Sequence, residues 1–392
     1  MNLKPVAGLA VAASLLLAVA GCTASPAPAG DETPSGGSDG PIDATAEGVS
    51  QEAADTMNAL YAAAKDAGET ELSVISGLNQ DMAPVYEAFT KEFGIPITGN
   101  EQDEIGAPLI QDLQGQVTSG QHRTDVLHNP NGQQYVKFAQ PYHVVSLTVP
   151  DELKSSANEI QPGADYKTAT GDAAQDMWES PFLGFFGLGT FLPRAGALAP
   201  TQWSDLADPK YAGQIGMGAV TVPGPNQDAP IYLEENGALT DEQVQAILKN
   251  AGSNVKGTYG DAIAGLMQGQ YAFMFGAPSS AIMAAAAKGA PVKFSLMSED
   301  NYVVTHKFLL LKDAPHPNLG KLWLEWLNTK TAGEAIAETG LAPLNTDFAA
   351  AKSDEVPWTD WKKSNVTEII SSTKIDSERD GIVTKFKQWL GQ

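Results

Sequence analysis

From Leu72 onward the chain alternates between two hydrophobic periods, and this alternation restricts the possible folds more than any other feature. Leu72, Val74 and Ser76 follow a period of two, which is a strand. Gly77-Leu78-Asn79 interrupts it, and from Asp81 the residues Met82, Val85, Tyr86, Phe89 and Phe93 recur with helical spacing. Ile95-Pro96-Ile97 reads as a second strand, Ile105, Leu109 and Leu113 as one face of the next helix, and Asp125-Val126-Leu127 as a third strand ending in the polar run His128-Asn129-Pro130-Asn131. Strand, helix, strand, helix is the order of a largely parallel sheet, hence an α/β fold. In open sheets of this kind ligands bind beyond the carboxyl ends of the strands, where backbone N–H groups and helix N-termini converge.

The rest of the chain keeps the pattern. A helix begins near Ala44, with Met57, Leu60, Tyr61 and Ala64 on one face and Gly68 at its end. Trp178 to Phe191 reads as a strand, and so does Ile215 to Met217. Thr240-Asp241-Glu242-Gln243 is a capping box, and the helix it opens runs to Gly252. Tyr271 to Phe275 is a strand followed by a loop, Gly276-Ala277-Pro278-Ser279-Ser280, and an alanine-rich helix closed by Gly289. Tyr302 to Leu311 reads as one long strand, and a final helix presents Ile382, Val383, Phe386, Trp389 and Leu390 on one face.

The segment WSDLADPKYAGQIGM, Trp203 to Met217, resembles a signature of the extracellular solute-binding proteins that feed ABC importers, in the branch that includes ferric-iron, thiamine and aminoalkylphosphonate binders. Ala286 to Phe294, AAKGAPVKF, and Lys312 to Asn345 resemble a second module of that family, and the similarity spans roughly residues 68–347. The resemblance implies a two-lobed periplasmic-binding-protein-like fold of type II, with a hinge between lobes and the ligand cleft at strand carboxyl ends. It implies residues 46–148 with 303–348 in the first lobe and 149–302 with 349–392 in the second, crossing near Val149. It further implies a monomer that closes on a small-molecule ligand and delivers it to an ABC permease and its ATPase, without cofactor or catalysis.

Composition sets separate bounds. With 392 residues, 43% hydrophobic and 18% charged, the chain can bury ordinary cores and favours two domains. A formal net charge of −23 argues against a nucleic-acid partner, which needs a basic face. Val6 to Ala18 is a short apolar run after Lys4, and Val19-Ala20-Gly21-Cys22 matches a lipobox. Residues 1–21 therefore read as a lipoprotein signal peptide, and Cys22, the single cysteine, as the acylation point, against the alternative of a buried structural thiol. Residues 22–45, dense in Pro, Gly, Ser and Asp, read as a flexible tether placing the protein on the extracytoplasmic face of the cytoplasmic membrane.

No nucleophile elbow, phosphate loop or zinc-protease motif occurs, and Gly187-Leu188-Gly189 lacks the third glycine of a dinucleotide fingerprint. His122, Asp125 and His128 do not share a helical face and read as ordinary polar residues rather than metal ligands. The candidate ligand contacts are strand-end groups: Ser76 and Asn79, Asn226 and Gln227, Ser279 and Ser280, Asp300 and Asn301. Each could equally be a turn or cap residue. Of three arginines, Arg379 sits between Glu378 and Asp380 as a solvated partner, leaving Arg123 and Arg194 as forks for an anion. Trp178, Phe185, Phe186, Tyr232, Tyr259 and Tyr302 are available for a cleft wall or for the core. Iron-binding relatives carry adjacent tyrosines where this chain has Pro278-Ser279-Ser280, and no Tyr-Tyr pair occurs anywhere. Neutral serine hydroxyls at a helix N-terminus suit an anion, so the expected ligand is a small organic carboxylate or phosphonate rather than ferric iron.

Overall fold

The computed structural model of the chain describes residues 40–79, 81–99, 106–129, 132–146, 181–221, 225–235, 237–298, 301–343, 366–368 and 373–391. The signal peptide, Cys22, most of the tether, Val149, Trp178 and Asp300 lie outside the described residues. The expected tether reaches the folded body before residue 45: Ile42 is buried, and its backbone N–H and C=O both bond the side chain of Asn58.

The first half builds a sheet in the expected order. After α1 (Ala44–Glu47) and α2 (Gln51–Ala67) come β1 (Leu72–Ser76), α3 (Ala83–Phe93), β2 (Ile97–Thr98), α4 (Gly106–Ser119) and β3 (Val126–Asn129). The face expected of α2 is the one it buries, through Met57 and Ala64, with Leu60 and Tyr61 packed alongside. Strand β1 pairs parallel with β2 and with β3.

The second half supplies β4 (Phe182–Phe191), α5 (Leu192–Ala195), β5 (Ile215–Gly218), α6 (Pro225–Glu235), α7 (Asp241–Ala251), β6 (Val255–Lys256), α8 (Tyr259–Met267), β7 (Phe273–Pro278), α9 (Ser279–Ala287), β8 (Val292–Ser295) and β9 (Asn301–Thr305). The chain then runs through β10 (Lys307–Leu310), α10 (Pro317–Trp326), α11 (Lys330–Glu338), β11 (Ala342–Pro343), β12 (Val366–Glu368) and α12 (Thr373–Trp389). Strand β4 is the spine of the second sheet, ordered β12-β9-β4-β7-β5-β6, with β8 and β11 also pairing to β4. The Thr240 capping box forms as read, each partner's side chain bonding the other's backbone N–H, and Gly252 closes α7.

Two expectations are corrected. Residues 302–311 are not one strand: β9 pairs with β4 in the second sheet, β10 pairs antiparallel with β3 in the first, and His306 alone separates them. The polar run Thr305-His306-Lys307 is the mark of the crossing in the sequence, but a break of three residues does not by itself distinguish a change of sheet from a strand that continues. Nor is residues 276–280 a loop. Gly276, at φ +65°, stays within β7, its carbonyl accepts the Tyr259 hydroxyl at 2.6 Å, and α9 starts directly after Pro278.

The first sheet is covered on both faces, as parallel pairing requires. Val74, Val126, Phe308 and Leu310 point into a core with Met57, Phe89, Trp323 and Trp326. Ile75, Leu127 and Leu309 point the other way, onto Leu109, Leu113, Tyr135 and Phe138. The second sheet buries Phe186, Leu188, Trp203, Tyr302 and Phe386 on one side and Phe185, Met274, Ile282 and Phe294 on the other.

Candidate functional site

Strand direction places the candidate site. In the first sheet the carboxyl ends of β1 and β3 lie beside the start of β10, where Lys307 pairs with Asn129 and Phe308 with His128. In the second sheet the carboxyl end of β7 lies beside the start of β4, Pro278 pairing with Phe186, and β9 continues alongside β4 to Thr305. The carboxyl edges of both sheets therefore meet at the single crossing residue, His306, whose backbone N–H donates to Phe182 O at 3.2 Å.

At the first edge the strand-end residues form a buried polar line. Leu78 N donates to Ser76 Oγ at 2.9 Å, Ser76 Oγ lies 2.7 Å from His128 Nδ1, and His128 Nε2 lies 3.0 Å from His306 Nδ1. A neutral imidazole has one donor and one acceptor nitrogen, so the role of His128 Nδ1 toward Ser76 dictates the role of Nε2 toward His306. Burial, and the neighbouring His306 ring, hold His128 well below the usual imidazole range; burial pushes His306 down to about 3. Both rings are thus neutral near neutral pH, stacked between Phe308 and Phe182. Asn79 is 2% exposed, its amide donating to Ser76 O and accepting from the Tyr86 hydroxyl.

At the second edge Ser279 and Ser280 open α9. The Ser279 hydroxyl donates to Gly340 O at 2.7 Å, fastening this helix to the turn between α11 and β11. Gly340 has φ +79°, and a side chain there would come within 2.8 Å of Ser280 Cα, so only glycine allows the approach. Ser280 is 6% exposed, and its hydroxyl has no hydrogen-bond partner among the described residues. The N-cap residue, Pro278, offers no side-chain acceptor, so the first-turn N–H groups of α9 have no cap.

The other candidates are placed differently. Asn226 and Gln227 fall in the first turn of α6 rather than in a loop. Asn301 is fully buried and bonds Met297 through both its amide oxygen and its amide nitrogen, closing the turn before β9. Arg123 stands before β3, exposed, its guanidinium on Asp112. Arg194 bonds Gly213 O, Gly269 O and Gln214 Oε1, around the amino ends of β5 and β7. Both arginines are therefore at strand amino ends, opposite the edges that converge on His306. His122 approaches Asp313, whereas Asp125 accepts Ser73 N and His316 N and lies 3.0 Å from His316 Nδ1; with His128 they do not form one cluster. Among the described residues no group of three His, Cys, Asp or Glu is placed to hold a metal ion.

Sequence reading missed the His128–His306 pair, because nothing in residue spacing announces a contact 178 positions apart. It also missed Lys307, which lies inside the range read as one long strand.

Residues 190–366 match the family described as bacterial extracellular solute-binding protein. No curated protein matches the chain by sequence. Among solved structures the fold is similar to that of the periplasmic binding protein AgtB of A. tumefaciens R10 in complex with agropinic acid (TM-score 0.54, 15% identity, covering 83% of this chain and 99% of that one). It is also similar to apo ferric ion-binding protein A of Pasteurella haemolytica (0.56, 16%, 82% and 98%). A third is the spermidine/putrescine ABC transporter substrate-binding protein PotD of Streptococcus pneumoniae (0.58, 13%, 82% and 100%). Residues 190–366 thus resemble the bacterial extracellular solute-binding family, and the chain shares a two-lobed α/β fold with periplasmic binding proteins over nearly the full length of such structures.

Proposed function

We propose that the protein is the substrate-binding lipoprotein of an ABC importer, that it is tethered through Cys22 outside the cytoplasmic membrane, and that it captures a small organic anion, a carboxylate or phosphonate. The observation that carries the anion reading is the start of α9. The Ser280 hydroxyl, on a residue 6% exposed and without a hydrogen-bond partner among the described residues, stands beside uncapped first-turn N–H groups, at the strand edge that faces the crossing between lobes. Such a helix end offers donors and a partial positive charge and no anionic oxygen, which suits an anion and suits a hard cation poorly. Ser76 and Asn79 serve this reading from the other lobe by shaping the loop after β1. Their hydrogen bonds to His128, Leu78 and Tyr86 hold that loop in one conformation. A ligand that contacts both edges stabilises the closed arrangement through contacts made only there, and the closed form is what a permease would recognise.

The test is native mass spectrometry of the purified protein with whatever it retains, followed by calorimetry of the parent and Ser280→Ala with that compound. An organic anion is expected, with affinity falling about tenfold in the variant, or ~1.4 kcal/mol. Tight uptake of Fe³⁺ with a visible charge-transfer band, unchanged by Ser280→Ala, would replace the anion with iron.

A further inference from the structure

We propose that Lys307 is the cation that meets the negative charge of the ligand; the inference rests on the anion reading above and assigns that site a residue the sequence did not suggest. Among the described lysines and arginines Lys307 alone is buried, 6% exposed, and it is the first residue after the crossing at His306. Its place in the sheet follows from register. On one face of the first sheet Ile75, Leu127 and Leu309 sit side by side in an apolar layer. One step toward the carboxyl edge the same row changes character: Asn129 pairs with Lys307, and Gly77, whose N–H donates to His128 O, stands next to Asn129 without a side chain. The row at the edge where ligands of such sheets bind is therefore an ammonium, an amide and a position that lacks a side chain, with Asn129 between Lys307 and Gly77.

An ammonium withdrawn from water is costly unless a charge or several acceptors face it, and it attracts an anion more strongly than an exposed one does. Lys307 is already held by an interaction within the fold, so a ligand would add to an ammonium with a set position. Arg123 and Arg194, by contrast, lie at amino ends on internal partners. Because Lys307 adjoins the crossing, an anion bound between it and the start of α9 would engage both sheet edges at the point where the chain passes from one to the other.

The experiment is calorimetric titration of the full mature chain with succinate, phosphonoacetate and inorganic phosphate at two ionic strengths. It compares the parent with Lys307→Met, Lys307→Gln, Lys307→Arg, Arg123→Gln and Arg194→Gln, with near-ultraviolet circular dichroism as the check on folding. The parent should bind at least one of these anions. Lys307→Met should weaken that binding tenfold or more and flatten its salt dependence, Lys307→Arg should recover most of the affinity, and the two arginine variants should stay within about twofold. Lys307→Gln serves if the Met variant does not fold. Parent-like affinity and salt dependence in a folded Met or Gln variant would overturn the role of Lys307 and leave the anion reading standing. Binding of none of the three anions by the parent would overturn the anion reading and this inference with it.

Discussion

His306 concentrates several demands in one side chain. It separates two sheets, donates its backbone N–H to Phe182, and continues a polar line from Ser76 while packed among aromatic rings. Such a site tolerates only the neutral ring, which has a consequence for pH. Above about 6.5, the usual imidazole value, the folded and unfolded chains are both neutral here and the residue contributes no pH dependence. Below it the unfolded chain takes up a proton that the folded chain refuses until about pH 3, so stability falls as the solution is acidified. The slope approaches about 1.4 kcal/mol per pH unit for each such histidine, and His128 acts in the same direction. Urea unfolding of the parent between pH 7.5 and 5, where most carboxylates stay ionised, should show this loss, and His306→Gln should show a shallower one. Equal slopes would mean that the ring is protonated in the folded protein.

Among elements, the carboxylates of this acidic chain are put to work as caps from a distance. Glu69, just past the end of α2, accepts Leu319 N at 2.9 Å and both the side chain and backbone of Asn318, covering the first turn of α10. Glu47 does the same for α11 through Thr331. Glu325, fully buried in α10, accepts Val145 N and Ser146 N and fixes the chain as it leaves the first sheet. Glu69→Ala should therefore cost about 1–2 kcal/mol in urea unfolding, as loss of a cap leaves N–H groups bare in a buried place; a change below a few tenths would assign capping of α10 to Asp125 alone, which bonds His316 N. None of these caps can be read from the chain, since partner and helix are about 250 residues apart for Glu69. Local devices were legible for the opposite reason: the Thr240 box and the buried face of α2 are complete within one or two turns. The candidate site was half legible. Strand ends and the serines of α9 follow from local pattern, whereas the positions of Arg123, Arg194 and Lys307 depend on which strand runs beside which.

For the molecule as a whole, the proposed anchor, Cys22, lies twenty residues before Ile42, the first docked residue among those described. Cys22→Ala should move the protein from the membrane fraction to the soluble fraction with its unfolding midpoint unchanged; a variant that stays with membranes after signal cleavage would refute acylation at this thiol. The crossing at His306 also imposes an order on biosynthesis. The first sheet borrows β10, and its core borrows α10 and α11, from sequence that follows the entire second-sheet segment. A chain growing from its amino terminus reaches Asn129 with β3 still an open edge, Asp125 without His316 and Glu69 without its helix. Contacts so remote in sequence form late, after a large loop has closed. The leading half thus lacks its closing strand, its capping partners and part of its core until the residues of β10, α10 and α11 have been made.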